Sequence, residues 1–125
     1  MRRLTLLSLA ATTLFASSVP AMAHPRLVSA NPAANAAVVR PTQIVLTFSE
    51  TLVAPLTGIE LTMTTIPGMG KHPRMPIRGF TTKVDGRALI ATLPRALPGG
   101  TYELRWHAVA ADQHRIENVY TFTVR

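Results

Sequence analysis

Thr101-Tyr-Glu-Leu-Arg-Trp-His-Ala108 reads as one extended strand, with Tyr102, Leu104, Trp106 and Ala108 on one face and polar or charged residues between most of them. Such alternation has the period of two that marks a half-buried strand. Pro98-Gly-Gly100 supplies the turn that leads into it. Upstream, residues 87–93 keep Leu89, Ala91 and Leu93 in phase, and Asp85-Gly86 before them is a strong hairpin signal fed by Thr81-Thr-Lys-Val84. Gln43-Ile-Val-Leu-Thr-Phe-Ser49 places Ile44, Leu46 and Phe48 together, and residues 58–63 repeat the habit with Ile59 and Leu61. A short strand at 26–29 and a last one at 119–124, with Tyr120, Phe122 and Val124 inward, complete the set. About seven short antiparallel strands, regular turns and ten prolines predict an all-β sandwich or Greek-key barrel.

The first 23 residues follow a different pattern. Arg2 and Arg3, an apolar run over 4–16 and the small-x-small Ala21-Met22-Ala23 have the form of a secretory signal cut after Ala23. Residues 24–125 then form a single small domain, and no second apolar stretch in them reaches the roughly 20 residues needed to span a membrane. The whole chain carries +7, of which Arg2 and Arg3 supply two. The remaining cations are scattered and aromatics do not interleave with them, so nucleic acid is not an expected partner. There is no cysteine, so the domain must hold together by its apolar core, and any metal must be met by nitrogen, oxygen or thioether donors.

Cleavage after Ala23 exposes His24 as the leading residue. Its α-amine and ring Nδ1 can chelate one ion, and Pro25 has no N–H to be recruited as a further ligand. Asp112 and His114 lie two apart between the last two strong strands, so in extended backbone both project to one side. A carboxylate and an imidazole of that kind would complete a tetragonal nitrogen–oxygen set that favours Cu(II) or Ni(II). The same three residues are also compatible with an ordinary chain start and a polar loop. Strand ends would hold Asp112 and His114, while His24 closes the site from a more mobile terminus. Glu50, at the end of a strong strand, is either an exposed turn residue or an auxiliary carboxylate. His107 is expected on the outer face of its strand, opposite the core-facing Trp106.

A second constellation spans Thr62-Met63-Thr-Thr-Ile66-Pro67-Gly-Met69-Gly-Lys-His72-Pro73-Arg-Met75-Pro76. Pro and Gly break it too often for a helix or a central strand. Met63 ends a strand, where methionine ordinarily fills core gaps. Met69 and Met75 sit in polar, turn-rich surroundings, and soft thioether sulfur selects Cu(I).

Taken together, these stretches resemble the CopC-type periplasmic copper-resistance proteins over essentially all of residues 24–125. The marks are His24-Pro-Arg-Leu-Val-Ser-Ala-Asn-Pro, Leu46-Thr-Phe-Ser-Glu50, the Met/Gly/Pro/His loop, Tyr102-Glu-Leu-Arg-Trp106, Asp112-Gln-His114 and Tyr120-Thr-Phe-Thr-Val124. The resemblance implies a cupredoxin-like (Ig-like) Greek-key β-barrel that binds and carries copper. It implies Cu(II) on His24, Asp112 and His114, with the glutamate matching Glu50 sometimes near or on the metal as an auxiliary, and Cu(I) on Met63, Met69, His72 and Met75. Ile66 stands where a further methionine is often found, and the Lys71-His72-Pro-Arg-Met75 spacing is slightly shifted. A periplasmic copper carrier or buffer, not an enzyme, is the expected role, with an inner-membrane CopD-type transporter as downstream partner. The rival readings are an N-terminal-histidine copper monooxygenase and a metal-free structural β-sandwich.

Overall fold

In the computed structural model, the described residues are 24–69 and 72–125, together with Ala16. Apart from Ala16, the expected signal segment lies outside them, as do Gly70 and Lys71 of the methionine-bearing loop. The strands in chain order are β1 (Leu27–Asn31), β2 (Ala37–Val38), β3 (Gln43–Phe48), β4 (Gly58–Thr65), β5 (Met75–Pro76), β6 (Thr81–Asp85), β7 (Ala88–Thr92), β8 (Gly100–Val109) and β9 (Arg115–Val124). A single 3-10 turn, Ala54–Leu56, precedes β4. One sheet has the order β1-β3-β7-β6 and the other β2-β9-β8-β4-β5, forming a β-sandwich.

All seven expected strands are present, and β2 and β5 are two-residue additions. One pairing departs from the antiparallel expectation, since β2 runs parallel to β9. The hairpin between β6 and β7 also closes one residue later than the Asp-Gly signal suggests. Asp85 pairs with Ala88, so the two-residue turn is Gly86-Arg87, with Gly86 at φ +60°. A positive φ at the first central position belongs to a II′ turn, whose twist matches the flanking strands and favours glycine.

The alternation read from residues 101–108 is realised in β8. Tyr102, Leu104, Trp106 and Ala108 are all buried, facing Ile44, Leu46 and Phe48 of β3 and Leu89 and Ala91 of β7 in one core. Phe48 meets Trp106 edge-on with ring centroids 5.0 Å apart, and Tyr102 stacks on Phe122 at 5.5 Å. Both are favoured aromatic geometries.

Two tyrosines combine burial with a satisfied hydroxyl. Tyr102 donates to the Pro98 carbonyl at 2.7 Å and Tyr120 to the Pro32 carbonyl at 2.8 Å. Burial pushes both phenols up to about 12. In the unfolded chain a tyrosine ionises near ~10. The fold therefore keeps these protons longer, and their contribution is intact below pH ~10 and lost as pH climbs towards ~12. Urea midpoints measured across that window should fall steeply, and Tyr120→Phe should flatten the fall. An unchanged slope in that variant would show that Tyr120 is not responsible.

Candidate metal centre

Three distant stretches meet at one end of the sandwich. His24 precedes β1, while Asp112 and His114 occupy the turn between β8 and β9. One donor atom from each lies within 4.8 Å of the others.

The turn brings its two residues together by a route different from extended spacing. Gln113 adopts φ +62°, and its N–H donates to the Ala110 carbonyl at 3.0 Å. The His114 N–H then donates to Asp112 Oδ1 at 3.1 Å, an Asx-type turn in which the side chain replaces a backbone acceptor. With Oδ1 so engaged, Oδ2 is left to the imidazoles. It pairs with His24 Nδ1 and lies 3.5 Å from His114 Nδ1. The His24 and His114 rings are tilted at 39° with centroids 5.0 Å apart.

Exposure grades across the group: the Asp112 side chain is 16% exposed, His24 36% and His114 69%. Asp112 thus forms the floor, and His114 faces water. His24 Nδ1 and Asp112 Oδ2 are buried against each other, with no hydrogen-bond partner outside the cluster among the described residues. A metal with bonds of ~2.0–2.2 Å holds its donors roughly 3 to 4 Å apart. The 3.5 Å between Asp112 Oδ2 and His114 Nδ1 already falls in that range, while the direct His24–Asp112 contact would open to admit an ion between them.

The leading segment, expected to close the site from the chain start, is tied to the sheet immediately after His24. Pro25 is fully buried. The Arg26 N–H donates to Ser49 Oγ at 2.9 Å, and the Ser49 N–H donates to the Arg26 carbonyl at 2.9 Å. Neither Ser49 nor Gln113 was singled out by sequence reasoning. A serine after a strand and a glutamine in a polar loop carry no distinctive local signal. Glu50 is half-buried just beyond β3 and is not one of the three clustered residues.

The methionine-bearing loop divides its donors. Met63 lies in β4, is 3% exposed and belongs to the core. Its thioether therefore packs inside, which departs from a shared role with the loop methionines. Pro67-Gly68, with Gly68 at φ +76°, turns the chain so that the Met69 N–H reaches the Ile66 carbonyl at 3.2 Å. Met69 is 59% exposed and Met75 42%. Met75 pairs in register with Met63, on the edge strand β5. His72 Nδ1 lies 2.7 Å from the Pro73 carbonyl, which can only accept, so Nδ1 carries the proton and Nε2 is the lone-pair nitrogen. That Nε2 is buried with no hydrogen-bond partner among the described residues. Arg74 ties the loop to β8 by an ion pair with Glu103 at 2.6 Å.

His107 sits on the outer face of β8, as alternation required, with its ring over Gly58; a Cβ there would lie 3.1 Å from Cε1. Burial, reinforced by the nearby Arg115, lowers its pKa below the usual histidine value, against the opposing pull of Glu60 and Glu117.

Residues 27–125 match the CopC domain family. The chain is similar to Copper resistance protein C of Escherichia coli, 42% identical over 106 residues that cover 84% of each chain. It is 40% identical to Copper resistance protein C of Xanthomonas campestris pv. juglandis over 109 residues, 87% of this chain and 86% of the relative. Among solved structures, the methionine-rich copper resistance protein PcoC of E. coli superposes with a TM-score of 0.73 at 39% identity, covering 82% of this chain and all of that one. CopC of Methylosinus trichosporium OB3b gives a TM-score of 0.64 at 27% identity, covering 81% of this chain and 93% of that chain.

Proposed function

The chain belongs to the CopC family, and from that premise we propose that it is an exported copper-binding protein that carries or buffers the metal. The observation that carries this reading is the convergence of His24, Asp112 and His114, with His24 Nδ1 and Asp112 Oδ2 buried against each other. The names of its relatives, copper resistance proteins, point the same way and name no catalytic activity. Cleavage after Ala23 would deliver residues 24–125 to the periplasm with a free amine on His24.

Copper here is cargo. The His24 amine and ring, the Asp112 carboxylate and the His114 ring form a nitrogen-rich, hard-to-borderline set suited to Cu(II). Asp112 neutralises part of the ion's charge from the buried side, and His114 closes the solvent side. The amine and both imidazoles must be unprotonated to bind, so loading releases protons and weakens with acid. Glu50, outside the cluster, takes no part in this assignment.

A second, independent Cu(I) site is assigned to Met69, His72 and Met75, with Met63 remaining in the core. What supports it is the buried, unpartnered His72 Nε2, held in its lone-pair tautomer by Pro73, and the exposure of both Met69 and Met75 on the same loop. Two sites of different softness would let the protein hold copper in either oxidation state and pass it to an inner-membrane CopD-type transporter.

Isothermal titration of the exported, processed protein with Cu(II) tests the first site. One tight equivalent with a nitrogen-rich electron paramagnetic resonance signal is expected, and binding no tighter than that of a generic histidine-bearing surface would reject the reading. For the second site, the double variant Met69→Leu, Met75→Leu should lose Cu(I) binding with Cu(II) affinity unchanged. Its stability should move by no more than about 0.5 kcal/mol, as for other surface changes. A double variant that fails to fold would identify the two methionines as packing residues instead.

A further inference from the structure

A chain-start donor binds a metal best when its arm is held in place beforehand, and the packing of residues 25–29 supplies such a hold. In β1 and β3, Leu27 pairs with Phe48, but the next pair is Ser29 with Thr47. One extra residue, Val28, is therefore accommodated on β1, and it stands 66% exposed. A bulge of this kind bends the strand and interrupts the ladder. It also switches which face every residue before it presents, because strand side chains alternate with a period of two.

Beyond the bulge, the ladder is taken up by a side chain. Ser49 Oγ accepts the Arg26 N–H at 2.9 Å while the Ser49 N–H donates to the Arg26 carbonyl at 2.9 Å. Arg26 is thus gripped at both backbone groups by one residue. Pro25 is fully buried and its φ is locked by its ring. Only one residue, Pro25, separates this grip from His24, whose Nδ1 already faces Asp112 Oδ2.

We propose that Ser49 is a positioning residue for Cu(II). Its hydroxyl fixes the bulged leading arm so that His24 is aimed at Asp112 and His114 in the metal-free protein. Copper then meets a preset chelate and loses little affinity to ordering the terminus, the advantage of preorganisation. Ser49 does not touch the metal and acts only through Arg26 and Pro25. The inference rests on the Cu(II) assignment to His24 made above.

A pair of variants equal in shape but different in chemistry tests it. Ser49→Thr keeps a hydroxyl, and Ser49→Val has the same branched outline without one. A single exposed hydrogen bond is worth a modest factor, so Cu(II) affinity should fall about three- to tenfold in the valine variant and recover in the threonine variant. Cu(I) affinity should be equal in the two. Amide exchange at Arg26 should quicken only in the valine protein, a readout that a general loss of packing would not confine to one residue. Equal Cu(II) affinity in the two overturns the proposal, as does an Arg26 amide that exchanges equally in both. His24→Ala serves as the control: if it loses Cu(II) while the Ser49 pair does not differ, the positioning role fails and the His24 assignment survives. If His24→Ala itself keeps Cu(II), the assignment fails and the positioning role with it. Should the valine protein not fold, Ser49→Ala replaces it against the same threonine reference, with the same outcomes.

Discussion

Placing one alanine in front of His24 in the processed protein weakens Cu(II) binding by at least about a hundredfold, beyond the roughly 10–100-fold that changes to outer-shell partners cost. The insertion converts the amine of His24 into an amide and so removes one arm of the chelate. The His24 ring, Asp112 and His114 remain where they are, since Pro25 and the Arg26–Ser49 pair lie on the other side of the insertion. Loss of a donor without loss of fold is therefore expected. Thermal unfolding should be unchanged, and Cu(I) affinity should stay within about twofold if the methionine-bearing loop is a separate site. The measurement is competitive titration of both oxidation states against chelators, on protein whose first residue is verified by mass spectrometry. Equal losses for Cu(I) and Cu(II) would contradict two independent sites. Undiminished Cu(II) binding would remove the amine from the ligand set.

The second large effect concerns the platform under the site. Phe48→Ala should destabilise the domain by about 3–5 kcal/mol, the usual range for truncating a buried aromatic side chain. Against a typical stability of roughly 5–15 kcal/mol, this can consume much of the margin. Phe48 is 1% exposed, meets Trp106 edge-on and pairs with Leu27, the last β1 residue before the arm. Its removal opens a cavity directly behind the segment that carries Ser49 and Arg26. The urea midpoint should drop accordingly, and Cu(II), by binding the folded state, should recover part of the loss in proportion to its concentration over Kd. A fall of less than about 1 kcal/mol would mean that Trp106 and Leu27 collapse into the space.

The His24, Asp112 and His114 set also illustrates how chemistry and geometry part company. Residue types alone suggested a nitrogen–oxygen metal group, and the pattern of the whole chain made that suggestion specific. The supposed reason for Asp112 and His114 facing together, extended backbone, was different from the one found. A left-handed Gln113 and an Asx turn do that work, and glutamine is not a residue that advertises a positive φ. The same holds for the methionines. Three methionines share one region of the sequence, yet Met63 is buried in the core while Met69 and Met75 remain exposed.

Local order was written plainly in the chain. Alternation in β3, β7 and β8, the presence of a hairpin turn at Gly86 (though not its register) and the proline and glycine breaks each depend on residues within a few positions of one another, so they can be read without knowing what lies opposite. Partnership across the sandwich could not be read in this way. The Val28 bulge, the grip of Ser49 on Arg26, the parallel β2–β9 pair and the approach of His24 to Asp112 all join segments distant in sequence. Their registers follow from which set of apolar faces packs best as a whole, a property of the folded ensemble of contacts that no single stretch contains.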